Sequence, residues 1–76
     1  MRALNISSEN KNLLELSVIE LGNLERTDAQ KFQRLLSAFN SCEQCEHAQN
    51  QKGFDLALMN LANVYQQIII SRRLAA

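Results

Sequence analysis

The chain has 76 residues, with eight basic and eight acidic side chains and a formal net charge of zero. A chain of this length forms one domain with a single, marginal hydrophobic core. Its balanced charge excludes strong electrostatic steering towards nucleic-acid phosphates or anionic membranes. With 46% hydrophobic residues, no proline and two glycines, the composition is typical of helices joined by short turns rather than of a disordered chain.

No stretch alternates apolar and polar residues, and β-branched residues cluster only at Ile68–Ile70. Both observations argue against strands. We therefore predict an all-α fold for residues 1–76 as a single helical domain that self-associates. It is either a three-helix antiparallel bundle or a helical hairpin with an extra short helix. The predicted helices cover about residues 8–24, 28–49 and 54–73, with a break near 40–41 left open.

The first predicted helix begins near Ser7 or Ser8, either of which can cap it. Glu9 in its first turn interacts favourably with the helix dipole. Ile19 points away from the apolar arc, towards solvent or a partner, and Gly22 weakens the end of the helix. The residues on the inner arc are Leu13, Leu14, Val18, Leu21 and Leu24.

The second predicted helix begins at Thr27-Asp28-Ala29-Gln30, which has the spacing of a capping box. The same spacing recurs at Ser41-Cys42-Glu43-Gln44, and this is why a break near 40–41 is considered. Residues 43–52 are the most polar part of the chain, so we expect them to be solvated and mobile, with Gly53 closing the turn into the last helix. The predicted inner face is Ala29, Phe32, Leu35, Leu36, Phe39 and Cys42.

The last predicted helix carries two apolar stripes on opposite sides. The first follows steps of four and three residues and should form the domain core: Phe54, Leu58, Leu61, Tyr65 and Ile68. The second lies about 160–220° round the helix from Leu61 at 100° per residue: Leu56, Met59, Ile70 and Leu74. Either the first two helices cover both stripes, or the second stripe binds a second copy or another helical protein. We favour a partner, because so short a chain has little with which to cover both.

The sequence has one cluster of potential metal or thiol chemistry, formed by Cys42, Cys45 and His47. The spacing does not fit a haem-attachment motif, the pair lacks the βαβ context of a redox motif, and no second ligand pair completes a zinc site. A Cys/His metal or thiol switch remains an alternative, but we expect free thiols, no metal and no cofactor. No nucleophile accompanies the single histidine and no Gly-rich phosphate loop is present, so we predict no catalytic residue and no enzyme.

A small DNA-binding transcriptional regulator is the alternative from a different class, with Lys31, Arg34 and Arg72 on phosphates. Dispersed cations on a neutral domain make a poor phosphate footprint, so nucleic-acid binding is not expected. Residues 1–7 lack the apolar core of a secretory signal, and the uncharged stretch 56–71 is interrupted by amides and too short to span a bilayer. We predict a cytoplasmic protein without membrane insertion.

Two segments resemble small helical proteins of bacterial type III secretion. Residues 27–33 (TDAQKFQ), followed by the Ile-rich helix 61–70, are similar to the needle-subunit chaperones, and residues 55–59 (DLALM) are similar to the C-terminal helix of inner-rod subunits. The resemblance implies a chaperone or adaptor that works with a partner to hold an aggregation-prone subunit in the cytosol, and so a role in protein transport and virulence. The present chain departs from the chaperone pattern by the polar segment 42–52 and by a third helix.

The sequence therefore predicts a non-enzymatic helical protein–protein interaction module that forms homo- or hetero-oligomers. Its partner is another helical protein or a second copy of itself. The predicted partner-binding residues are Leu56, Met59, Ile70 and Leu74.

Overall fold

The computed structural model describes residues 4–75, and residues 1–3 and 76 lie outside it. Over this range the chain forms three helices and no strand: α1 (Ser8–Thr27), α2 (Ala29–His47) and α3 (Gln51–Ala75). The prediction of an all-α fold with three helices is confirmed. Because the connections are so short, successive helices reverse direction and pack as antiparallel neighbours. α2 packs most extensively on α3, whereas α1 lies mainly against α2 and touches α3 little.

Asp28 alone separates α1 from α2. Its backbone N–H donates to the Leu24 carbonyl at 2.9 Å, closing α1, and its side chain accepts from the Lys31 N–H at 3.1 Å, opening α2. The cap is thus Asp28 and not the predicted Thr27, whose hydroxyl donates instead to the Asn23 carbonyl within α1. An aspartate caps as well as a threonine does, so the capping-box spacing alone could not separate the two.

α2 is continuous through positions 40 and 41 and ends at His47, two residues before the predicted end. The Ser41 hydroxyl donates to the Ser37 carbonyl inside the helix, at 3.2 Å, and so caps nothing. The polar segment 43–52 is therefore largely helical, since residues 43–47 extend α2 and residues 51–52 open α3.

The turn between α2 and α3 is made by Gln49 and Asn50 rather than by the predicted Gly53. Gln49 adopts the left-handed backbone conformation, with φ of 53°. The Asn50 side chain accepts from the Gly53 N–H at 3.1 Å, in the manner of a helix cap. Gly53 lies within α3, where a Cβ atom would come 2.5 Å from the Asn50 Nδ2. A side chain at position 53 would displace the capping Asn50 amide, so the glycine leaves space beside the cap and is not a turn residue.

The core lies along the shared face of α2 and α3, completed at one edge by α1. Leu58, Leu61 and Ile68 are buried as predicted, with at most 4% of their surface exposed, and Tyr65 is half-buried. Ala29, predicted for the inner face of α2, is exposed at the start of that helix. The buried hydrophobic residues are Leu21, Leu24, Leu35, Ala38, Cys42, Phe54, Leu58, Leu61 and Ile68.

The inner face of α1 is more polar than predicted. Val18 is 53% exposed and Ser17 is fully buried in its place. The Ser17 hydroxyl donates to the Leu13 carbonyl at 2.8 Å, so its burial leaves no polar group unsatisfied. Glu20 is also buried. The apolar residues of α1 predicted a buried face that is slightly rotated from the observed one. A hydrophobic pattern does not identify polar side chains that are buried together with a hydrogen-bonding or ionic partner.

Candidate functional site

The outer side of α3 carries four large apolar side chains in solvent, and we call them the outer stripe: Leu56, Met59, Ile70 and Leu74. Their exposed fractions are 66%, 65%, 54% and 82%, respectively. At 1.5 Å per residue the stripe extends about 27 Å along the helix. Single exposed leucines are ordinary, whereas four on one helix face mark a surface suited to a further protein. That these residues bind a partner stays a prediction.

The packing of α3 explains why this side is left open. α2 lies along one flank, where Arg34 donates to the Gln67 side chain at 2.9 Å and Lys31 donates to the Ser71 hydroxyl at 3.1 Å. α1 contacts α3 on the core side, where Arg72 pairs with Glu20. Because both neighbouring helices lie on the core side, no described element covers the outer stripe.

Met59 lies at the edge of this open side, next to α1. It lines a shallow depression of about 320 Å³ together with Asn10, Asp55, Leu58 and Ala62. α1 adds exposed apolar side chains of its own, at Ile19, which was predicted to point outwards, and at Val18, which was not. Large exposed apolar side chains therefore lie on α1, at Leu16, Val18 and Ile19, as well as on the outer stripe of α3.

The cysteine and histidine cluster is dispersed by the helical geometry. Cys42 is buried in the core, Cys45 is half-buried and His47 is exposed at the end of α2. Both cysteines are free thiols. Within residues 4–75, no three histidine, cysteine, aspartate or glutamate side chains are grouped closely enough to hold a metal ion. These three residues of α2 therefore lie in different surroundings, and Cys42 is part of the core.

Burial raises the pKa of the Cys42 thiol from its ordinary value near 9 to about 11, with a smaller contribution from the neighbouring Cys45. A thiol with this pKa is about 0.1% thiolate at pH 8, and only the thiolate is nucleophilic. The unfolded chain ionises this thiol at lower pH than the folded protein does. The contribution of Cys42 to stability is therefore complete below pH 9 and is lost as the pH rises towards 11.

We expect iodoacetamide at pH 8 to alkylate Cys45 in the folded protein and to leave Cys42 unmodified. The reason is that Cys42 is both buried and un-ionised, whereas Cys45 is only half-buried. Peptide mass spectrometry after timed quenching measures both sites. The unfolded chain in urea is the control, where both cysteines should react. Equal rates at the two sites in the folded protein would contradict the placement of Cys42 in the core.

The cations considered for phosphate binding are held by intramolecular contacts. Lys31 lies 3.8 Å from the Asp28 carboxylate and also donates to Ser71. Arg34 donates to Gln67, and Arg72 pairs with Glu20. A DNA contact at any of these positions would compete with a contact that already positions the helices.

The ion pair between Glu20 and Arg72 is a structural feature that the sequence analysis did not identify. The Glu20 side chain is 5% exposed and the Arg72 side chain 49%. The helical spacing of the two residues could have indicated the pair. Arg72 continues the core stripe of α3, four residues beyond Ile68, and Glu20 lies four residues before the buried Leu24. The pair ties α1 to α3, and hydrogen bonds between the Asn5 backbone and the Gln51 side chain tie the segment before α1 to α3 as well.

None of the helices within residues 4–75 combines the length and the hydropathy required to cross a lipid bilayer. No family model, curated protein or solved structure matches this chain.

Proposed function

We propose that this protein is a non-enzymatic interaction module, a small cytoplasmic chaperone or adaptor that buries an amphipathic helix of a partner protein. The observation that carries the proposal is the exposure of the outer stripe on a helix whose opposite face already fills the core. A helix docked along this stripe would contact it through residues spaced three and four apart, as in other helix-in-groove complexes. The resemblance to needle-subunit chaperones suggests type III secretion as the setting.

The free energy gained by burying the outer stripe is small enough to favour reversible binding. Burying the still-exposed parts of four such side chains contributes about 1–2 kcal/mol each, or roughly 4–8 kcal/mol in all. Association costs on the order of 4–15 kcal/mol in lost translational and rotational freedom. A partner that contacts only the stripe would bind weakly, so a tight partner must add polar contacts at the rim or contacts with α1.

Replacing Met59 and Ile70 together by glutamate tests the proposal. The double variant should keep its helical circular dichroism and its urea midpoint, because both side chains are more than half exposed. It should lose binding by at least about tenfold, because the docked surface would bury two unpaired carboxylates. Co-purification of the tagged protein from its native host, followed by titration of the captured partner, gives the measurement.

A matched control adds the same two negative charges away from the outer stripe. Asn12→Glu combined with Asn40→Glu alters two exposed positions of α1 and α2 and should leave binding unchanged. Unfolding of the Met59→Glu/Ile70→Glu variant would place these residues in the core and remove the basis of the proposal. Undiminished binding by a folded double variant would move the partner to another surface.

A further inference from the structure

Three residues of the outer stripe, Leu56, Met59 and Ile70, belong to a longer heptad pattern on α3. Positions 56, 59, 63, 66 and 70 follow strictly alternating steps of three and four residues, which is the spacing of a coiled-coil seam. All five side chains of this seam are exposed. Two amides, Asn63 and Gln66, form its centre, and the apolar side chains lie towards its two ends.

Seam positions 59, 63, 66 and 70 are symmetric about a point between Val64 and Tyr65. Met59 and Ile70 lie at equal distances from this point, as do Asn63 and Gln66. If a second copy runs antiparallel with a twofold axis here, Met59 meets Ile70 and Asn63 meets Gln66, each contact occurring twice. A twofold interface requires this kind of self-complementary surface. The central amides would hydrogen-bond across the axis, as polar seam residues do when they set the register of a coiled coil.

Charge selects the antiparallel orientation over the parallel one. Asp55 and Arg73 are 18 residues apart, about five whole turns, so they lie on the same flank of α3. Antiparallel pairing about the twofold axis brings the same flanks together with their ends reversed, so that Asp55 faces Arg73 of the second copy at both ends. Parallel pairing would put the same flanks on opposite sides of the seam, so neither Asp55 nor Arg73 would face an opposite charge of the second copy.

These two side chains are also available for such a contact. Asp55 accepts one hydrogen bond, through its Oδ1 from Gln51 at 3.0 Å. Within the part of the chain that the structure describes, Arg73 forms no ion pair or side-chain hydrogen bond, whereas the adjacent Arg72 is engaged by Glu20. The unpaired arginine and the partly free carboxylate therefore flank the open seam.

We propose that the outer side of α3 is the interface of an antiparallel homodimer centred between Val64 and Tyr65. The proposal rests on the proposed interaction function and names its first occupant as a second copy of this chain. The seam buries three large apolar side chains per copy, Leu56, Met59 and Ile70, which is small for a permanent dimer. The dimer therefore exchanges readily, and a helical partner competes with the second copy for the same surface.

Charge reversal tests the pairing by sedimentation velocity between about 10 µM and 1 mM protein at low salt, where ion pairs are least screened. The wild-type chain should show a concentration-dependent dimer. Asp55→Arg alone and Arg73→Asp alone should each weaken dimerisation at least about fivefold, because like charges then meet at both ends. An equimolar mixture of the two variants should dimerise at least as well as the wild type, because all facing charges are opposite. The mixture contains the same two variant chains that were tested singly. Recovery of dimerisation in the mixture therefore excludes misfolding as the cause of the loss.

Disulfide trapping tests the orientation. In a Cys45→Ser background, Leu56→Cys and Leu74→Cys chains are mixed and oxidised, while the buried Cys42 stays unreactive. The antiparallel dimer gives a mixed disulfide between the two variants, whereas a parallel dimer would give disulfides within each variant alone. A wild-type chain that remains monomeric to 1 mM, or a predominance of the like-with-like disulfides, overturns the proposal.

These outcomes are separable from the fate of the proposed function. If the wild type stays monomeric yet a partner protein is captured by it and lost by Met59→Glu/Ile70→Glu, the homodimer is wrong and the interaction function stands. If the dimer forms as described while partner capture is unaffected by that double variant, the homodimer stands and the partner-binding role of the stripe is wrong.

Discussion

Replacing Leu61 by alanine should lower the free energy of unfolding by about 2–5 kcal/mol, the range for a leucine truncated in a packed core. Leu61 is fully buried on the inner face of α3, within the cluster that joins all three helices. A domain of this length has a total stability of roughly 4–11 kcal/mol. The substitution should therefore leave a large unfolded population, measured by urea titration of the circular dichroism signal.

Leu56→Ala is the matched control, since it makes the same chemical change in the same helix on the exposed side. Leu56 is 66% exposed, and we expect a loss below about 0.5 kcal/mol, as for other surface substitutions. Both titrations should be run at low micromolar protein, where self-association contributes little. A loss at position 56 equal to that at position 61 would show that the outer stripe is part of the core.

Replacing Arg72 by methionine should destabilise the protein by about 1–3 kcal/mol, because it leaves the buried Glu20 carboxylate without its partner. The expected loss is moderate for a buried ion pair, since Arg72 is half-exposed and water can reach the vacated position. Urea unfolding of the variant gives the value.

A second substitution isolates the cause of that loss. Combining Arg72→Met with Glu20→Leu should recover most of the stability, because an apolar pair of similar volume leaves no unpaired charge in the interior. Arg73→Met is the control at the adjacent, exposed arginine and should change stability little. If the combined variant is no more stable than Arg72→Met alone, the loss does not arise from the stranded carboxylate.

The two apolar stripes of the last helix could be read from the sequence because helical periodicity is a local property. Leu58, Leu61 and Ile68 are buried, and the residues half a turn away are exposed. The helix boundaries could be predicted less accurately from the sequence. Thr27 and Asp28 are both good caps, and in the structure Asp28 caps α2 while the Thr27 hydroxyl bonds within α1.

The inner face of α1 could not be predicted fully from the hydrophobic pattern. Ser17 and Glu20 are buried although neither is apolar, because each has a partner: the Leu13 carbonyl for Ser17 and Arg72 for Glu20. The second of these partners lies 52 residues away in sequence. No local pattern identifies such a partner, so Val18 was predicted to lie on the inner face.

The amino-acid sequence by itself determined the helical fold and the double-sided character of α3, since both follow from the repeat of apolar residues at helical spacing and from the lack of strand signals. Only the tertiary structure decided which polar groups are buried and which face of α3 remains open. Both depend on the positions of α1 and α2 relative to α3. These positions are set by packing and by long-range pairs such as Glu20 and Arg72.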